Sequence, residues 1–144
     1  MATTGMIPTD LREVPHCPVC GRPLIRVPVL TCARCGEERR LRCFVYQWAP
    51  EQFVAECIDL DLLSQGITAE EAIGKLQEAV HSYLEVAFEG ETKGLVLRRS
   101  PVSHRLRYHA HCFRERLRDL FRRQHGRHFI LTSVADRTHR FSHC

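Results

Sequence analysis

The longest regular pattern in the chain lies between residues 68 and 88, where Ala72, Ile73, Leu76, Ala79, Val80, Tyr83, Leu84, Ala87 and Phe88 recur every three or four positions. That spacing places them on one broad face of an α-helix. Thr68 stands at its start with Glu71 three residues on, a pair able to form a capping box, and Gly90 stops it. Upstream the composition changes to β-branched and aromatic residues. Cys43-Phe44-Val45-Tyr46-Gln47-Trp48 and Phe53-Val54-Ala55-Glu56-Cys57-Ile58 flank a turn at Ala49-Pro50-Glu51-Gln52, which predicts an antiparallel hairpin. Leu62-Leu63-Ser64 adds a short third strand, closed by Gln65-Gly66.

A second helical pattern follows residue 100. Ser100-Pro101 has the form of a cap and a first helical residue. Val102, Leu106, Ala110, Phe113, Leu117, Leu120 and Phe121 then hold an apolar stripe to about Arg123, and burial of that stripe is expected. The other faces carry Arg105, Arg107, Arg114, Arg116, Arg118, Arg122 and Arg123, relieved only by Glu115 and Asp119. Such a basic amphipathic helix can bind nucleic acid, an anionic membrane surface or an acidic protein face, or can dock on the acidic part of its own chain. Gly126 ends it, and Phe129-Ile130-Leu131-Thr132 is either a last strand or a loose tail.

The N-terminal third carries the most explicit chemistry. Cys17-Pro18-Val19-Cys20-Gly21 and Cys32-Ala33-Arg34-Cys35-Gly36 are two Cys-x-x-Cys pairs, each followed at once by glycine. Two-residue spacing lets both sulfurs of a tight turn face one metal, and the glycine frees the backbone to turn beneath them. Leu24 to Val27 and Val29-Leu30 are apolar enough for a short hairpin that joins the knuckles. Four thiolates and no open position describe a structural tetrahedral site, so Cys17, Cys20, Cys32 and Cys35 are expected to hold one zinc ion. Iron in a rubredoxin-type site would use the same donors. The pattern resembles the zinc ribbon.

Charge and composition narrow the picture. The chain of 144 residues has a formal net charge of +4, but the charge is segregated. Residues 1–50 hold seven basic and four acidic residues, residues 51–94 two and ten, and residues 95–144 twelve and three. An acidic middle between basic ends speaks of partners rather than fold. No run of apolar residues is long enough to span a membrane. Met1 to Asp10 shows neither the basic start nor the apolar stretch of a signal peptide. Together with eight cysteines, this leads us to expect a cytoplasmic protein using its thiols for metal rather than for disulfides. Cys43 and Cys57, on strands, read as small buried apolar residues. The seven histidines after residue 100 lack the tight spacing of a second metal site.

The middle of the chain resembles a known family. Phe53 to Gly66, with its Glu56-Cys57-Ile58-Asp59-Leu60 stretch and Ser64-Gln65-Gly66, then Thr68-Ala69-Glu70-Glu71-Ala72 and Tyr83-Leu84-Glu85, is similar to the HicB-like antitoxin domain over roughly residues 42–89. The resemblance implies a small sheet-and-helix fold, a degenerate relative of RNase H, paired with a small RNA-cleaving toxin of double-stranded-RNA-binding fold. Such antitoxins usually carry a ribbon-helix-helix or helix-turn-helix module after this domain, and neither pattern is visible here. Glu56, Asp59 and Asp61 would be the only candidates for an RNase-H-like metal cluster. Their placement at a strand end and the family's degenerate centre both point to a protein that is not an enzyme.

The expectation is therefore an α+β chain of three parts: a zinc ribbon over 1–40, a HicB-like antitoxin domain over 41–94 with a small antiparallel sheet and packed helix, and a basic helical region over 95–144. Its expected role is to bind and occlude a small RNA-cleaving toxin. The alternative is a nucleic-acid-binding accessory protein that uses the ribbon and Arg105, Arg107, Arg114, Arg118, Arg122 and Arg123 on phosphate. Self-association is compatible with either.

Overall fold

A computed structural model describes residues 13–32, 35–89, 100–121, 128–131 and 133–141, with backbone only for Cys32, Glu89, 118–121, 128–130 and 133–141. The expected Gly90 and Gly126 stops, Arg122 and Arg123 lie outside the described residues.

Strands β3 (Cys43–Ala49), β4 (Gln52–Cys57) and β5 (Leu62–Gly66) form the expected antiparallel meander. The turns between them are tight, and Glu51 and Asp61 take φ of 55° at their corners. Period-two alternation gives this sheet two different faces. Cys43, Val45, Ala55 and Cys57 pack with helix α1 (Ala69–Glu89) in one core, while Phe44, Tyr46, Val54 and Ile58 form a second cluster with Tyr108. Tyr108 belongs to helix α2 (Val102–Phe121), so a helix covers each face of the sheet. A fourth strand, β6 (His128–Leu131), pairs antiparallel with β3 and completes the order β5-β4-β3-β6. The segment left open between strand and tail is therefore a strand.

The corner before α1 explains why its start is sharply defined. Thr68 Oγ1 accepts the Glu71 N–H at 3.1 Å, and Glu71 Oε2 accepts the Ile67 N–H at 2.8 Å. This is a capping box displaced by one residue on its return bond. Lys75 sits 2.7 Å from the same carboxylate and, with the Ile67 N–H, holds Glu71 below the usual carboxylate range. Gly66 lies so close beneath the helix that a Cβ there would come within 2.6 Å of the Ala72 nitrogen.

A second, smaller sheet has the order β2-β1-β7, built from β1 (Ile25–Cys32), β2 (Glu38–Arg39) and β7 (Ser133–Phe141). Here the expectation changes. The stretch read as a hairpin within residues 24–30 is one continuous strand that runs through Pro28, and its antiparallel partner β2 comes after the second Cys pair. Proline cannot donate to a ladder, and the pairing of β1 with β7 slips between Val27 and Val29, on either side of it. That β1–β7 pair is parallel, a long-range contact between the two ends of the chain. Ile25, Val27 and Leu30 are buried in the same cluster as Ile73, Leu76 and Val80 of α1. The N-terminal strand and the middle segment thus share one core. The Gln77 side chain, fully buried, accepts the Arg26 N–H at 2.6 Å and stitches α1 to β1.

Helix α2 departs most from expectation. Its apolar stripe is not the buried face: Val102, Leu106 and Phe113 are each more than 60% exposed and Leu117 is 38% exposed. His111 is buried, and Tyr108 and His104 are half-buried, on the opposite side of the helix. Ser100, expected as a cap, is buried and donates its hydroxyl to the Ile58 carbonyl at 2.7 Å. It ties the entry of α2 to the end of β4.

Candidate metal centre and partner-binding faces

The Cys17–Cys20 pair lies on a tight turn. Gly21 N–H donates to the Cys17 carbonyl at 2.8 Å, Cys17 N–H to the Arg22 carbonyl at 2.9 Å, and an isolated bridge joins His16 to Pro23. Gly21 has φ of 68°, a left-handed conformation that favours glycine and so accounts for the residue after the second cysteine. The backbone N–H groups of Cys20 and Val19 and the Cys20 thiol point at the Cys17 sulfur and lower its pKa. Donors aimed at a sulfur favour the thiolate, the form that binds metal. At the second Cys pair Gly36 has φ of 72° and Cys35 is exposed, while Cys32 closes β1 and its side chain lies outside the described residues. Among the described residues no three Cys, His, Asp or Glu side chains converge on one point. The residues present fit a tetrathiolate zinc site in donor chemistry and in the local turn at Cys17–Cys20.

The most organised polar constellation is one that pattern reading missed. Glu56 alternates in phase with Phe44, Tyr46, Val54 and Ile58 on the α2 face of the sheet, and its side chain is 3% exposed. A carboxylate at that depth needs partners. Tyr46 donates its hydroxyl to Glu56 Oε1 at 2.7 Å, Arg107 approaches the same oxygen at 3.3 Å, and His104 Nδ1 lies 3.2 Å from Oε2. Arg107 also donates to the Tyr46 hydroxyl at 2.9 Å, with its guanidinium over the rings of Tyr46 and Trp48. Burial and the bond to Glu56 push the Tyr46 hydroxyl up to about 12. His111 stacks on Tyr46 at 5.7 Å, and burial and the neighbouring Cys112 raise the Tyr108 hydroxyl as well. The signal was present in the sequence: an acid at an apolar phase of a strand demands a cation from elsewhere.

Of the three carboxylates weighed as a metal cluster, each has a different fate. Glu56 is buried against α2. Asp59 is held by Arg42 through a two-nitrogen fork and the Arg42 N–H. Asp61 occupies the left-handed turn before β5. Cys43 and Cys57 are buried free thiols directly opposed across β3 and β4, and the hydrogen bond between them, with burial, raises the Cys43 thiol. Among the arginines, Arg107 is committed to Glu56, Arg105 is half-buried, and Arg114 is exposed. Arg118 lies on α2, but its side chain, like Arg122 and Arg123, is outside the described residues.

The two helices present opposite surfaces. The solvent side of α1 carries Glu70 and Glu85, with Glu71 and Glu78 half-buried beside them. A shallow depression there is lined by Glu70, Glu71, Gly74, Lys75 and Glu78. The solvent side of α2 carries arginines and exposed apolar side chains. No helix among the described residues is long and apolar enough to cross a membrane. Comparison with known families, characterised proteins and solved structures gives no match to this chain.

Proposed function

We propose that the chain is a HicB-like antitoxin-type protein, without enzymatic activity, that binds and occludes a small basic RNA-cleaving toxin. The acidic outer face of α1 carries this reading, because it offers Glu70, Glu78 and Glu85 on the very segment that resembles the family. Acidic side chains facing a basic partner accelerate encounter and fix orientation. Both faces of the four-stranded sheet are covered by helices, so occlusion falls to the outside of α1 rather than to the sheet surface. One zinc ion on Cys17, Cys20, Cys32 and Cys35 would staple the Cys17–Cys20 turn to the end of β1, and its role is structural. The non-catalytic reading is supported by Glu56 and Asp59 being consumed in internal pairs.

The test is co-expression with a short basic reading frame adjacent to the gene. Growth arrest by that frame should be relieved by this chain. Relief should be lost on Glu70→Lys with Glu78→Lys and Glu85→Lys, at an unchanged circular-dichroism melt. Absence of such a frame, or relief indifferent to the charge reversal, overturns the reading.

A second reading, a nucleic-acid-binding accessory protein, rests on the exposed Arg114 and Arg116 of α2. It loses Arg107 to Glu56. Its mark would be a steep fall of affinity with salt, by about 0.7–0.9 logarithmic units per phosphate contacted.

A further inference from the structure

From the exposed stripe of α2 we infer a second docking surface, distinct from the acidic face of α1, that receives an acidic amphipathic helix of another protein. Val102, Leu106, Phe113 and Leu117 form a file one side chain wide along α2, and all four are exposed. At 100° per residue, Leu106 and Phe113 lie at its centre, with Ala110 beside them where a neighbouring backbone can approach. A file this narrow is the seam of a helix–helix contact, not the broad apolar face of a helix lying in a membrane surface.

Charge selects the occupant. Arg105, His109 and Arg116 border one side of the file and Arg114 the other, while Glu115 lies half-buried on the docked side of the helix. The rim is therefore cationic on both flanks. A second copy of α2 packed antiparallel about Leu106 and Phe113 brings like flanks together and would set Arg105 against Arg116 of its twin, twice over, a like-charge arrangement that seams avoid. The α1 helix of a second copy supplies acid, but Val86 is its only exposed large apolar side chain among the described residues, so it offers no matching seam. What complements the surface is a helix with leucine-type residues at seam positions and Glu or Asp on either side, laid along the stripe in the helix-in-groove manner. Arg107, drawn away to Glu56, fixes the rotation of α2 that turns the stripe outward.

The probe is a synthetic amphipathic peptide of about three heptads, with leucine at seam positions and glutamate on both flanks. Its lysine-flanked counterpart, phosphatidylcholine–phosphatidylglycerol vesicles and sedimentation of the protein alone serve as controls. Fluorescence anisotropy should show the acidic peptide binding the full-length chain at least about tenfold more tightly than the lysine peptide. Leu106→Ser with Phe113→Ser should abolish that binding at an unchanged melting temperature, and Arg114→Gln with Arg116→Gln should remove the preference between peptides. Four results overturn the inference: equal binding by the serine variant; vesicle binding without peptide preference; a dimer that the serine variant dissolves; or a clearly lowered melt of that variant, which would show the chain's own residues covering the stripe.

Discussion

Arg107 of α2 reaches the buried Glu56 carboxylate of β4 at 3.3 Å while its guanidinium lies over the ring of Tyr46. This one side chain joins the basic end of the chain to its acidic middle. Removing it leaves a buried carboxylate with only Tyr46 and His104. Breaking a fully buried pair costs about 3–5 kcal/mol, but the Arg107 side chain is 37% exposed and water will partly replace it. Arg107→Ala should therefore lower stability by about 1–3 kcal/mol in urea melts. A loss near zero would mean that α2 is held by its aromatic contacts alone.

The Tyr46 hydroxyl gives the fold an alkaline signature. Its pKa in the folded chain is about 12 against an ordinary value of 10.0. Between those values the unfolded chain has released the proton and the folded chain retains it, so stability falls as pH rises through this window. Below pH 10 the contribution is fully present. Tyr46→Phe should flatten this part of the stability profile, measured as the difference between variant and parent. Identical alkaline slopes would place the hydroxyl in water.

The corner before α1 makes three graded claims. Gly66→Ala drives a Cβ against the Ala72 backbone and should cost about 1–3 kcal/mol. Thr68→Ala removes an N-cap bond and should cost about 1 kcal/mol. Leu76→Ala, at a fully buried site between two sheets, should cost about 2–5 kcal/mol. Denaturant melts rank them, and a harmless Gly66→Ala would contradict the close approach.

Where the sequence was legible, local rules and burial agreed. Along α1 every inward position is apolar apart from Gln77 and His81, and β3, β4 and β5 pair in chain order through tight turns. Legibility failed where a polar group was satisfied from far away. Glu56 finds Arg107 fifty-one residues on, and this contact inverts the face of α2 that periodicity alone would bury. The parallel pairing of β1 with β7 joins positions as distant as Ile25 and Ser133, and no local pattern announces such a contact. Pro28 reads as a break, yet a register slip accommodates it within a strand. The turn at Cys17–Cys20 lay at the other extreme, since the spacing and a left-handed glycine already describe it.

Zinc should be present at one ion per chain. Elemental analysis of purified protein should give a ratio near one, and Cys17→Ser or Cys32→Ser should lower it sharply. Chelation should also loosen β1, because metal binding in small sites contributes on the order of 10 kcal/mol to folding and the first knuckle leads directly into that strand. Amide exchange at Ile25 to Leu30 should quicken on chelation. A ratio near zero with unchanged exchange would remove the metal from the account.

The orientation of α2 is decided by two phenylalanines. Phe44 is fully buried at the centre of the α2 face of the sheet, where it packs on Tyr46, Tyr108 and His111. Phe113 belongs to the stripe and is 62% exposed. Truncating a buried phenylalanine costs about 3–5 kcal/mol, whereas a surface change away from special features stays within about 0.5 kcal/mol. Phe44→Ala should therefore be severe and Phe113→Ala nearly silent in the same urea melt. Were α2 rotated so that its apolar stripe met the sheet, Phe113→Ala would be severe as well, and Arg107 would lie far from Glu56. The second consequence is separable, because a double-mutant cycle of Arg107→Ala and Glu56→Gln would then show no coupling. Near-silence at Phe113 together with a measurable coupling at Arg107–Glu56 fixes the helix with its polar face inward.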